Sequence, residues 1–176
     1  MRHVALVGVS GVGKSTFLRK CSETIEFLHL EASSLIKEQK RFIEGASATS
    51  EQLRAGVILD NQELLISAFK RRSDEEDRLC VLDGHTVIDT GCRLQKIPAS
   101  VFGEIGIRKI IILQADPNDI QIRRQVDQTR ERPQRTTAEL QKYQEVVKEH
   151  TCEIGEILGI PVAIVTHDVQ ASIINV

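Results

Sequence analysis

The run Gly8-Val9-Ser10-Gly11-Val12-Gly13-Lys14-Ser15 fits the pattern G-x-x-x-x-G-K-[ST]. It lies between the apolar stretch His3 to Val7 and a helical pattern running from Ser15 to Cys21. A strand, a glycine-rich turn and a helix in that order leave few architectures open. Glycines at 8, 11 and 13 let successive backbone N–H groups curl inward, and the positive end of the helix faces the same point, so the loop suits phosphate oxygens. In that setting Lys14 reaches the outer phosphates and the Ser15 hydroxyl coordinates Mg2+.

The rest of the chain repeats the alternation. Short apolar runs at Phe27 to Leu30, Leu79 to Leu82, Lys109 to Leu113 and Val162 to Val165 read as strands, the middle two as buried on both faces. Helices are expected between them. One covers Ala32 to Glu44, with Leu35, Ile36, Gln39 and Ile43 at helical spacing. A long one opens at the Thr49/Gln52 capping box and ends near Arg71 to Arg78. Another starts at Asp116-Pro117, and the last opens at the Thr136/Glu139 capping box. Parallel neighbours need helical crossovers, so five strands alternating with helices imply a parallel sheet covered on both faces. Ligands of such sheets bind beyond the carboxyl ends of the strands, where Gly8, Asp83, Gln114 and Thr166 should meet.

Asp83 closes the third strand, where a carboxylate can hold a Mg2+-bound water opposite Ser15. His85 follows on the same rim. Between Gln121 and Arg135 stand Arg123, Arg124, Arg130, Arg132 and Arg135 against Asp127 and Glu131, a local charge of +3. Planar guanidinium forks match phosphate oxygens, so this cluster beside the loop reads as a closing lid.

The chain as a whole carries 23 Lys and Arg against 25 Asp and Glu, a net charge of −2, so no overall positive field holds DNA or RNA. With 3% aromatic residues, a base-stacking surface is not expected either. No apolar run is long enough for a membrane span, and no signal peptide is read before His3. Cys21, Cys80, Cys92 and Cys152 are scattered without metal-ligand spacing, as suits reduced thiols in a cytoplasmic protein. At 176 residues one domain, 1–176, is expected. A homo-oligomer is left open.

Taken together, Gly8 to Thr16, Asp83-Gly84-His85, Arg123-Arg124, Thr129-Arg130-Glu131-Arg132 and Thr136-Thr137-Ala138 resemble the archaeal-type adenylate kinases, P-loop nucleoside-monophosphate kinases, over nearly the whole chain. The resemblance implies a three-layer P-loop NTPase fold, with a five-stranded parallel sheet in the order 2-3-1-4-5 and helices on both faces. It also implies an acceptor-binding region at about 31–72 and a short lid at about 124–136. By the same resemblance ATP is the donor, bound by Gly8 to Thr16 and, through its adenine, near Thr166 and His167, with Mg2+ at Ser15 and Asp83. Lys14, Arg124, Arg130 and Arg132 fall on the catalytic positions. Arg54 and Arg93, with His85, fall on the side of a small phosphorylated acceptor, most simply AMP.

The chain departs from that family at three places. Ser10 stands where proline is usual, so that Gly8-Val9-Ser10-Gly11 also resembles gluconate and guanylate kinases. Asp83-Gly84 is followed by His85-Thr86-Val87 without the arginine of the bacterial-type motif. Ile97-Pro98-Ala99 replaces a Pro-Gly element. A small-metabolite kinase of gluconate type and an ATP-binding regulatory protein with little turnover therefore stand as alternatives. A switch GTPase is disfavoured, since no N-K-x-D or D-x-x-G element lies at a suitable distance.

Overall fold

β-Branched and leucine-rich pentapeptides set the centre of the molecule. In the computed structural model, which describes residues 3–44, 58–75, 77–127 and 132–175, they are β1 (His3–Val7), β3 (Leu79–Asp83) and β6 (Lys109–Leu113). Every residue of β1 and the last four of β3 and of β6 are buried, which requires cover on both faces. β2 (Phe27–Glu31) and β7 (Val162–Val165) are the edges. The parallel sheet runs β2-β3-β1-β6-β7, the expected 2-3-1-4-5 when its own five strands are counted. Its register pairs Leu6 with Asp83 and with Ile111, and Ile112 with Ile164.

The helices start and stop where local chemistry directs. α1 (Lys14–Ser22) follows Gly13, and α2 (Ala32–Glu44) follows β2 directly. α3 (Ile58–Asp74) ends in the expected charged stretch, whereas its expected capping box at Thr49 and Gln52 lies outside the described residues. α4 (Ala99–Ile105) begins after Pro98. α5 (Pro117–Val126) is capped by the Asp116 carboxylate, which accepts the Asn118 N–H at 2.8 Å. α6 (Thr137–Leu158) opens with the full Thr136/Glu139 capping box. The chain closes on a short turn of 3-10 helix at Ala171–Ile174. Among the described residues no helix is long and apolar enough to cross a membrane, and all four cysteines are free.

Two expectations need correction. The helical spacing of Leu35, Ile36, Gln39 and Ile43 does not make one buried face of α2, since Ile43 is exposed. The buried face is set by Leu35 and by Gln39, whose amide oxygen is held by Arg71 of α3 at 2.7 Å. The second is an element the pattern did not announce: β4 (Val87–Asp89) and β5 (Leu94–Lys96) form an antiparallel hairpin. Its strands are too short to show a period-2 signal. It is fastened to α6 instead, where the Tyr143 hydroxyl donates to the Val87 carbonyl at 2.9 Å and His150 Nε2 to that of Ile97 at 2.8 Å. Buried Thr86 donates to Thr151, whose own proton goes to Val147 O.

α6 reaches the sheet through two close contacts. The Gln144 side chain pairs with both backbone groups of Ala115, continuing the end of β6 like a strand. Gly155 passes so near β7 that a methyl group there would lie 2.4 Å from Val162 Cγ2. Gly155→Ala should therefore destabilise the protein by about 1–3 kcal/mol through overpacking. Urea unfolding followed by circular dichroism reads this, the expected result being a lower midpoint with an unchanged slope.

Candidate nucleotide site

A loop that points its N–H groups at an anion must point its carbonyls away, and each of those needs a donor. Three of them, at alternating positions of the glycine-rich loop, are met by side chains from distant parts of the chain. His85 Nδ1 donates to Gly8 O at 2.8 Å. Arg124 Nε donates to Ser10 O at 2.9 Å. Val12 O receives both Arg123 Nη1 at 2.9 Å and His167 Nε2 at 2.7 Å. Because the acceptors are carbonyls, those two imidazole nitrogens are the ones that carry protons. Val9 O accepts the Val12 N–H within the loop, and the Val9 and Val12 side chains are buried in the core, so these two residues contribute backbone alone to the site. Gly13 adopts φ 103°, and any side chain there would strike the His167 ring at 2.6 Å. Among the described residues the N–H groups of Gly11 and Gly13 have no carbonyl partner.

Lys14 and Asp83 meet at this point. Their Nζ and Oδ1 are 3.6 Å apart with both side chains about nine-tenths buried, and His29 Nε2 lies 3.4 Å from Asp83 Oδ2. Burial alone would raise the pKa of Asp83. The His29 hydrogen bond and the Lys14 charge outweigh it and hold the carboxyl below its ordinary range. Ser15 and Thr16 are exposed in the first turn of α1. Ser15 and Asp83 are two oxygen donors, and among the described residues no group of three or more His, Cys, Asp or Glu side chains could hold a metal. Such a set fits Mg2+, which takes one or two protein oxygens and completes its shell with phosphate and water.

The arginine cluster divides in two. Arg123, Arg124 and Arg132 belong to the loop; Arg132 donates from Nε to the Ser10 hydroxyl at 2.9 Å and from Nη2 to Asp127, while its Nη1 is buried with no partner among the described residues. Arg135 turns away. It grips the buried Asp89 carboxylate of the hairpin with two bonds, at 3.1 and 2.9 Å, and donates to Gly91 O. Arg93 sits in the hairpin turn and bonds Gln95, and His85 is spent on the loop carbonyl. Thr166 donates to Asp168, and His167 O accepts from Lys20 at 3.3 Å. Arg54 and Arg130 lie outside the described residues. Sequence reasoning missed the bracing roles of His85, His167 and Arg123, the His29 contact, and the Asp89–Arg135 pair.

The Asp89–Arg135 pair ties the segment before α6 to the hairpin. Burial pushes the Asp89 pKa up, but the Arg135 bonds and the Gly91 N–H bring it below the ordinary value. Its stabilising effect is thus complete above the unfolded value of about 3.9 and lost as pH falls through the folded one. Arg135→Gln should cost on the order of 3 kcal/mol at neutral pH, since it leaves a buried charge half-paired. Below about pH 4 the gap to wild type should narrow, as read by urea melts across that range.

Comparison with known proteins follows this geometry. The family model described as "AAA domain" matches residues 7–141. The adenylate kinase of Thermoplasma acidophilum is 28% identical over 171 residues, covering 96% of this chain and 90% of that protein. That of Methanothermobacter thermautotrophicus is 24% identical over 169 residues, covering 94% and 90%. The resemblance to archaeal-type adenylate kinases is thereby borne out. Among solved structures, a gluconokinase from Sinorhizobium meliloti 1021 superposes with a TM-score of 0.51 at 16% identity, covering 98% of this chain and 86% of that one. A shikimate kinase from Bacteroides thetaiotaomicron gives 0.52 at 15%, covering 92% and 85%. At these identities the structural likeness concerns the fold, that of a P-loop kinase.

Proposed function

The chain belongs to the AAA domain family, whose model spans residues 7–141, and from that premise we propose that it transfers the γ-phosphoryl group of ATP to a nucleoside monophosphate, AMP first. The observation that carries the reading is the loop braced by Arg123, Arg124 and Arg132, with one guanidinium nitrogen of Arg132 left over beside it. Phosphoryl transfer asks a protein for positioning and charge compensation, and this site offers little else. The loop N–H groups and Lys14, which in the free protein faces the Asp83 carboxylate, hold the donor phosphates. Ser15 and Asp83 would hold Mg2+, which would supply charge neutralisation for the phosphates. Arg124, Arg130 and Arg132, in a lid at about 124–136, compensate charge on the group in transfer.

Acid–base chemistry supports this class of acceptor. A monophosphate is already anionic at neutral pH and attacks unaided, whereas a hydroxyl acceptor needs a general base. Asp83, the buried carboxylate at the loop, has its pKa lowered by His29 and Lys14 against the effect of burial, so it is a poor base. That favours a phosphorylated acceptor, with the region at about 31–72, Arg54 and Arg93 as its partners, and it agrees with the adenylate kinase relatives. The Gly8-Val9-Ser10-Gly11 run keeps the gluconate-type reading as the alternative.

Coupled assays of ADP formation with AMP, CMP, GMP, UMP, dTMP and gluconate separate the two. Turnover with AMP is expected, and turnover with gluconate but with no monophosphate overturns the proposal. Lys14→Ala should lower kcat by roughly 100-fold or more, and should also lower the melting temperature, because the buried Asp83 carboxylate is left with His29 alone; kcat is therefore read well below that temperature. A fully active Lys14→Ala protein would place the donor elsewhere. Arg54→Ala should raise KM for AMP while leaving KM for ATP nearly unchanged.

A further inference from the structure

Ser10 receives two lid arginines by different means. Its backbone carbonyl accepts from Arg124 Nε, a bond that any residue at this position would offer. Its hydroxyl accepts from Arg132 Nε at 2.9 Å, a bond that only a hydroxyl side chain of this size supplies. Proline, usual here in the resembled family, has none.

The consequence lies in the guanidinium of Arg132, whose side chain is 9% exposed. The group is planar and its five N–H bonds have a fixed layout. With Nε on Ser10 and Nη2 on Asp127, the direction of Nη1 is determined, and that nitrogen is the buried one without a partner among the described residues. A buried N–H left unsatisfied costs free energy unless something arrives to accept it. The acceptor that fits a guanidinium beside this loop is a phosphate oxygen. We propose that the Ser10 hydroxyl is a positioning residue: through Arg132 Nε it aims Nη1 at the phosphoryl group in transfer, so that this arginine is oriented by the loop itself. The proposal rests on the phosphotransferase reading above.

A residue of this kind acts on the rate through one other side chain. Ser10→Ala should lower kcat about tenfold, the loss of one charged hydrogen bond, with KM for ATP within about twofold and the melting temperature lower by a few degrees, since Arg132 Nε loses its acceptor. Ser10→Thr, which keeps the hydroxyl, should restore kcat. In an Arg132→Ala background the Ser10→Ala change should have less than about a twofold effect, because its intermediary is gone. An undiminished loss in that background, or a raised KM for ATP with kcat unchanged, overturns the proposal. Hydrogen exchange without nucleotide tests the contact apart from turnover. Amides of Arg132 and of Gln134 to Thr136 should exchange faster in Ser10→Ala than in wild type or Ser10→Thr, and equal exchange in all three overturns it. Should the wild-type protein transfer phosphoryl groups to no acceptor, the reading of function falls, while the exchange comparison still decides the Ser10–Arg132 contact.

Discussion

The outward carbonyls of the glycine-rich loop hold the site together. Turning its N–H groups toward an anion exposes the C=O groups of Gly8, Ser10 and Val12 on the other side, and buried carbonyls require donors. The donors come from just past the end of β3 (His85), from the last turn of α5 (Arg123, Arg124) and from just past β7 (His167). These segments are 70 to 160 residues away along the chain. A parallel sheet is what makes them neighbours, since it delivers every strand's carboxyl end to one rim. The topology and the loop conformation thus depend on each other: the sheet supplies the donors, and the donors fix the loop in the shape that can receive phosphate.

What was legible in the sequence follows from the range of the interaction involved. Caps act over three or four residues, so the Asp116 and Thr136 starts could be read directly, and the apolar pentapeptides at 3–7, 79–83 and 109–113 declared themselves buried. Lys14, Ser15 and Asp83 were legible because motif and strand end fix their places. The bracing imidazoles were not. A histidine that donates to a carbonyl more than 70 residues away has no local signature, so His85 and His167 were placed by analogy on the acceptor and adenine sides, while their ring nitrogens serve the loop. The hairpin at 87–96 escaped for a related reason: its strands have three residues each, and its stability comes from α6 and Arg135 rather than from its own pattern.

Counting the arginines by charge also concealed how differently they are used. A local +3 suggested one lid acting together, yet a guanidinium has five donors and the partner that claims them decides its role. Arg135 gives its Nε and Nη2 to Asp89 and to Gly91 O. Arg123 divides between Val12 O and the Asp119 carboxylate, 3.7 Å away. These two shape the protein. Arg124 supports Ser10 O in a setting where burial pulls its pKa down.

The same distinction governs the acidic partners. Asp127 neutralises Arg132 and Asp83 neutralises Lys14, so these two cations at the loop are paired with carboxylates, as Asp89 pairs Arg135 in the hairpin. A dianionic phosphate that enters must compete with those carboxylates for Lys14 and the guanidinium groups. A chain of net charge −2 gives it no help from the overall field. Selectivity therefore resides in geometry: a ligand gains where it can take loop N–H groups, Lys14 and an unclaimed guanidinium nitrogen at once. A compact polyphosphate meets all three, while a lone carboxylate or a single surface phosphate satisfies one and leaves the Lys14–Asp83 pair the better arrangement.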